Sequence, residues 1–171
     1  MVDLRNILDD LDLSAVVLPG DKLKECQYFF NLLEAEKDRD KFRWLLGAFL
    51  NACYGHLEYK AAYLHYAFAD PETGDPVEDW EALDILRNYV RVFQQKKSGF
   101  IKTSWLSELT EKLYKFRNRN THDGGIEVMQ VGDDLPNDFN IGSHTGQGTP
   151  ALIFCREILE FFSKLEAEID G

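Results

Sequence analysis

The sequence predicts an all-α helical bundle, with a small β-hairpin between the last two helices. Apolar residues recur every three or four positions over most of the chain, and glycine and proline separate these stretches. One short β-branched segment interrupts the helical pattern late in the chain. With 171 residues, of which 44% are hydrophobic and 29% charged, the composition is that of one globular domain spanning residues 1–171.

Four amphipathic helices are predicted in the first hundred residues. Leu18-Pro19-Gly20 separates the first from the second, and the proline-rich segment 70–76 separates the third from the fourth. The predicted spans are 1–12, 21–37, 40–68 and 77–97.

The third of these helices carries a polar stripe beside its apolar one. On an ideal helix the stripe residues fall within about 80° of one another; they are Arg43, Asn51, Tyr54, Glu58 and His65. The stripe is either the solvent side of the helix, or Asn51, Glu58 or His65 line a cleft opposite the next helix.

That next helix starts after Thr103 or Ser104, either of which suits a helix cap, and stops at Gly124-Gly125. Segments 126–131 and 138–141 then predict the hairpin. The glycine-rich segment 142–148, which contains His144, is either a surface connection or a loop that covers a substrate. Thr149-Pro150 suits the entry to a final helix that runs to about residue 169.

Several features predict the class and location of the protein. There is no apolar run of the roughly 20 residues that would span a bilayer, and the N-terminus lacks the pattern of a signal peptide. We therefore expect a cytoplasmic protein that does not bind a membrane. Cys26, Cys53 and Cys155 are far apart in sequence among apolar neighbours, which predicts reduced core thiols.

Charge is segregated along the chain. The net charge is −11, yet segment 87–119 holds nine basic and two acidic residues. This basic segment permits contact with RNA, which depends strongly on phosphate neutralisation. Alternatively, its bases are solvated helix faces paired with acidic residues.

The basic segment ends in Arg117-Asn118-Arg119-Asn120-Thr121-His122, at the predicted end of a helix. An arginine offers a forked, permanent cation for phosphate, and a histidine exchanges protons near neutral pH. Residues five apart on a regular helix differ by about 140° and 7.5 Å. Arg117 and His122 therefore meet only if the last turn unwinds or if a second chain completes the site.

Arg117, Asn118 and His122 resemble the Arg-x4-to-6-His signature of HEPN domains (higher eukaryotes and prokaryotes nucleotide-binding), in which Asn often follows the Arg. The resemblance implies a helical bundle of four or five helices that forms a homodimer, with the two motifs at its interface. It also implies a metal-independent endoribonuclease of toxin-antitoxin or defence type that uses no cofactor. A toxin would have an antitoxin protein as partner.

The resemblance further implies roles for single residues. His122 would be the general base or acid for attack by the RNA 2′-hydroxyl, Arg117 would bind the phosphate, and Asn118 would orient one of them. We expect the neighbouring bases Arg119, Lys115 and Lys112 to bind substrate. Because DNA lacks the 2′-hydroxyl, strict dependence on RNA follows.

Other interpretations stay open from the residues alone. In one interpretation, Arg117 and His122 form a structural pair at a helix end. In another, the chain is a non-catalytic HEPN-like module that binds a nucleotide, RNA or a partner protein. We expect no metal, since His56, His65, His122 and His144 show no ligand spacing. The sequence contains neither a glycine-rich phosphate loop nor a recognisable nucleophile triad.

Overall fold

The computed structural model describes residues 20–68 and 108–170, without the side chains of 61–68 and 168–170. The predicted helices over 1–12 and 77–97 and the predicted loop 70–76 lie outside the described residues. What is described is mainly helical with one small antiparallel sheet, in agreement with the mainly α class.

Two antiparallel helices form the first half of this fold. Helix α1 (Asp21–Ala35) buries Cys26, Phe30 and Leu33, which recur at helical spacing on one face. Helix α2 (Arg39–Phe68) follows a three-residue link. The Asp38 carboxylate accepts hydrogen bonds from the backbone N–H groups of residues 40 and 41, which caps the start of α2.

Helix α3 (Glu108–His122) carries the predicted motif and packs on α2 through its buried residues. Leu113 and Tyr114 are nearly fully buried there. The chain leaves the helix through Gly124 and Gly125, whose φ angles are +84° and +126°. Only glycine adopts such angles without strain, which explains the helix end that the sequence predicted.

The predicted hairpin is present as strands β1 (Val128–Gln130) and β2 (Phe139–Ile141), with Met129 opposite Asn140. A third strand, β3 (Thr149–Pro150), pairs with the other edge of β2 and completes the order β1-β2-β3. The final helix begins at Ala151, directly after Thr149-Pro150, as predicted, but these two residues form a strand rather than the cap and first turn of that helix. Proline is tolerated in β3 because this strand lies at the edge of the sheet.

Helix α4 (Ala151–Asp170) returns across the bundle and supplies much of the core. Its buried residues include Phe154, Ile158 and Phe162. Aromatic contacts join the elements: the ring centroids of Phe42 in α2 and Phe139 in β2 lie 4.6 Å apart. One apolar core therefore holds the sheet against the helices and fixes the end of α3 beside β1.

The three cysteines are buried and free, as predicted. Burial raises the pKa of the Cys155 thiol, and burial with a hydrogen bond to Cys26 raises that of Cys53. Within 20–68 and 108–170, none of the helices combines the length and apolar character needed to cross a membrane.

Candidate functional site

Helix α3 stays regular through His122. The backbone N–H of Asp123 still donates to the carbonyl of Arg119 at 3.1 Å, which continues the helical hydrogen-bond pattern past the motif. The last turn therefore does not unwind, and Arg117 and His122 project from different sides of the helix. Within one chain the two side chains therefore do not meet by unwinding of the last turn.

Arg117 is held against α2 by its guanidinium group. Its Cζ lies 4.4 Å from the centroid of the Tyr54 ring, a cation-π contact, and its Nη1 donates to Oδ1 of Asn118 at 3.1 Å. The hydroxyl of Thr121 donates to the backbone carbonyl of Arg117 at 2.9 Å. Arg117 Nε is buried and has no hydrogen-bond partner among the described residues. The side chain is thus held in one orientation against Tyr54.

Tyr54 provides an aromatic ring for the Arg117 guanidinium and does not act as a general base. Burial raises the pKa of its phenol well above the usual value, and a hydrogen bond with the Glu58 carboxylate raises it further. The nearby Arg117 cation opposes this shift but does not reverse it. Tyr114 of α3 packs beside it, with ring centroids 6.1 Å apart. The phenol therefore stays neutral while Arg117 lies over its ring.

His122 is exposed at the last position of α3. No hydrogen bond links its imidazole to another residue that the structure describes. The geometry within one chain thus places Asn118 beside Arg117 and leaves His122 apart from both. Each chain presents a fixed arginine and a solvent-facing histidine.

The three bases expected to bind substrate all have carboxylate partners. Lys112 pairs with Glu108 at 2.8 Å, Lys115 pairs with Glu111, and Arg119 Nη2 lies 3.1 Å from Glu127 Oε2. All three bases are at least two-fifths exposed, so the pairs are surface pairs of little strength. The basic face of α3 is therefore partly neutralised within the chain.

The polar stripe of α2 divides between the two interpretations. Tyr54 faces α3 and lies under Arg117, and Glu58, one turn further along α2, interacts with the Tyr54 hydroxyl. Asn51 is exposed, and the side chain of His65 lies outside the described residues. Sequence reasoning named Tyr54 in the stripe but did not give it a role.

Gly47, about two turns before Tyr54 on α2, also meets α3 closely. A Cβ at this position would lie 2.8 Å from Nδ2 and 2.9 Å from Oδ1 of Asn120. The missing side chain at Gly47 therefore makes room for the amide of Asn120. This contact sets how near α3 approaches α2 just before the helix ends.

A cavity of about 640 Å³ opens beyond the end of α3, between the start of α2 and strand β1. Arg39, Arg43 and Arg119 line it together with Gly124 and Gly125. Arg117 and His122 do not line it. Sequence reasoning missed this cavity because Arg39 and Arg43 lie about 80 residues before Arg119 in the chain. No local sequence pattern connects two segments so far apart.

The segment 142–148 forms a mostly exposed connection between β2 and β3. Its His144 is exposed, with Nδ1 3.2 Å from the Ser143 hydroxyl. Gly142 and Ser143 line the cavity, whereas His144 does not. In the described ranges, no group of three or more His, Cys, Asp or Glu side chains is arranged to hold a metal ion.

Comparison of the chain with protein-family models, with curated proteins and with solved structures gave no match.

Proposed function

We propose that this protein is a metal-independent endoribonuclease of HEPN type that acts as a dimer, of the kind found in toxin-antitoxin or defence systems. The observation that carries the proposal is the state of the motif side chains. Arg117 is fixed on Tyr54 with an unpartnered Nε among the described residues, and His122 is exposed on another side of the same regular helix. A purely structural arginine would favour pairing with a carboxylate, but no described carboxylate pairs with Arg117.

The proposed chemistry needs one cation and one proton-transfer group. Arg117 would bind the scissile phosphate and stabilise the charge that grows in the transition state. His122 would take the proton of the 2′-hydroxyl, or give a proton to the leaving 5′-oxygen. Asn118, which accepts a hydrogen bond from Arg117, would hold the guanidinium in position. The products would be a 2′,3′-cyclic phosphate and a 5′-hydroxyl.

The proposal includes a dimer, and the helix geometry supports this part of it. About 140° of rotation separates Arg117 from His122 on a regular helix, so within one chain the two side chains point in different directions. A two-fold axis beside α3 would bring Arg117 of one protomer towards His122 of its partner. Each dimer would then hold two composite sites.

The test is cleavage of a mixed RNA pool by the purified chain in excess EDTA. We expect the parent to cleave and to leave cyclic phosphate ends, while His122→Ala and Arg117→Ala do not. Arg156→Ala is a suitable control, because this arginine lies on α4 and pairs with Glu34 at 3.1 Å. Equal traces of cleavage from all variants would identify a contaminating nuclease and contradict the proposal.

A second candidate function is a non-catalytic HEPN-like module that binds a nucleotide, RNA or a partner protein. The observation that favours it is the internal pairing of Lys112, Lys115 and Arg119, together with the net charge of −11. These pairs weaken the positive field that steers RNA to an enzyme. Binding of a ligand without cleavage in the same assay would support this function over the first.

A further inference from the structure

We propose that the cavity at the start of α2 is a binding site for the phosphate group of a nucleotide, separate from the Arg117–His122 motif. The cavity encloses about 640 Å³, a volume within the range of sites that hold small molecules. It is lined by residues at the start of α2, at the end of α3 and in the turn and strand that follow α3. The site stands whether or not the motif is catalytic.

Three guanidinium groups, those of Arg39, Arg43 and Arg119, give the cavity its chemistry. Arginine presents a rigid fork of N–H donors that matches the oxygens of a phosphate. Arg43 Nε is buried and has no hydrogen-bond partner in the part of the chain described. No described carboxylate lies within ion-pair distance of Arg39. Arg39 therefore has donors to offer a ligand, and Arg43 can offer its terminal nitrogens, of which Nη2 approaches Asp40 only at 3.7 Å.

The carboxylates at the cavity do not use up this capacity. Arg43 Nη2 lies 3.7 Å from Asp40 Oδ1, beyond hydrogen-bond distance, and Arg119 pairs with Glu127. Both acidic side chains are more than half exposed, so water already screens these pairs. A phosphate dianion that accepts several N–H donors at once competes well with such partners.

The same carboxylates favour a nucleotide over a bare phosphate ion. Three carboxylates, those of Asp40, Asp123 and Glu127, line the cavity along with the three arginines. Ionised carboxylates only accept hydrogen bonds, and the ribose hydroxyls and base amino groups of a nucleotide are donors. A ligand with an anionic end and a donor-rich end fits this mixed lining better than a simple anion does.

The backbone at the cavity is open to a ligand. Gly124 and Gly125 have positive φ angles, and nothing lies within 4 Å of where a Cβ would be at either position. A ligand can therefore approach the peptide groups of this turn without meeting a side chain. Glycine is common where a backbone must come close to a ligand.

The test is binding of adenosine 5′-monophosphate (AMP) to the full chain, measured by isothermal titration calorimetry with EDTA present. Adenosine and inorganic phosphate serve as part ligands, and a short RNA oligomer serves as the polymeric source of phosphate. The variants are Arg43→Gln and Arg119→Gln, with Arg43→Lys to keep the charge but remove the fork. Arg156→Gln is the matched control, since Arg156 is similarly exposed, carboxylate-paired and outside the cavity.

We expect saturable binding of AMP that is stronger than that of adenosine or phosphate alone. Loss of one charge-assisted contact in Arg43→Gln or Arg119→Gln should weaken binding about tenfold or more. Arg156→Gln and His122→Ala should bind as the parent does. Retained binding in His122→Ala, whatever its effect on RNA cleavage, separates this site from the motif.

Two results would overturn the proposal: no binding of AMP, phosphate or RNA by the parent, or equal binding by the parent and both glutamine variants. RNA binding that both variants lose, without AMP binding, would support the phosphate site and assign its source to an RNA backbone. Circular dichroism of each variant distinguishes a lost contact from a lost fold.

Discussion

His56 should make the protein sensitive to acid. It lies on α2 with no exposed surface, packed on Phe162 of α4 with ring centroids 4.7 Å apart. Its Nε2 lies 3.2 Å from Glu166 Oε1, and Lys60 Nζ lies 2.6 Å from the other oxygen of that carboxylate. Neither ring nitrogen of His56 has an aligned hydrogen-bond partner among the described residues. The imidazole is thus buried in its neutral form.

Burial lowers the pKa of His56 from 6.5 to about 4, opposed by the Glu166 carboxylate and assisted by the Lys60 cation. The unfolded chain binds this proton as the pH falls below about 6.5, whereas the folded chain resists it down to about 4. The stability contribution is therefore fully present above pH 6.5 and is lost as the pH falls towards 4. At about 1.36 kcal/mol per pKa unit, the loss approaches about 3 kcal/mol.

The assay is urea unfolding of the parent and of His56→Leu, at steps from pH 7.5 to pH 4.5. Leucine has a similar volume, does not titrate and suits the neighbouring Phe162. Since other groups titrate in both proteins, the difference between the two free energies of unfolding isolates His56. We expect the parent to lose about 2 kcal/mol more than the variant between pH 7.5 and pH 5.

Parallel loss of stability in the two proteins over that range would refute the reasoning, because it would mean that His56 takes up its proton equally well when folded. His56→Gln provides a second non-titrating variant in case leucine disturbs the packing. It should show the same flattened pH dependence.

Three further predictions concern side-chain contacts and burial. Tyr54→Phe removes the hydroxyl that donates to Glu58 and should lower the free energy of unfolding by about 1 kcal/mol. Tyr28→Phe, at a side chain that is 60% exposed, is the control and should change it by less than about 0.5 kcal/mol. An equal change at both sites in urea unfolding would contradict the Tyr54 contact. Gly47→Ala should lower the free energy of unfolding by about 1 kcal/mol more in the parent than in an Asn120→Ala background, because an added Cβ meets the Asn120 amide. Additive effects in this double-mutant cycle would show that α3 does not approach α2 so closely. None of the three buried cysteines should react with a thiol reagent at pH 8 in the native protein, and all should react in concentrated guanidinium chloride. Rapid reaction of the native protein would contradict the burial of these thiols and the raised pKa values of Cys53 and Cys155.

Much of the helical fold was predictable because its signals are local. Periodic apolar residues predicted α1 as 21–37 and α2 as 40–68, and the structure places them at Asp21–Ala35 and Arg39–Phe68. The hairpin followed from its β-branched residues. Strand β3 was missed because its two residues directly precede α4, and only their pairing with β2 shows that they also form a strand.

The site was predictable only in part. The residues of the motif lie within a few positions of one another in sequence, so Arg117, Asn118 and His122 were proposed together. The Tyr54 ring beneath Arg117 and the Asn120 amide against Gly47 depend on how α2 and α3 pack, which no local pattern encodes. The arginine-lined cavity required the start of α2 to meet the turn after α3, a contact between distant segments.

The central claim is that Arg117 of one protomer and His122 of its partner form each catalytic site, and mixing subunits tests it most directly. Arg117→Ala and His122→Ala, each inactive alone, are mixed in equal amounts, allowed to exchange subunits, and assayed for RNA cleavage in EDTA. Half of the dimers are then mixed, and each has one intact site of two, so we predict recovery of about a quarter of the parent activity. No recovery, although mass spectrometry shows that mixed dimers have formed, would contradict the claim.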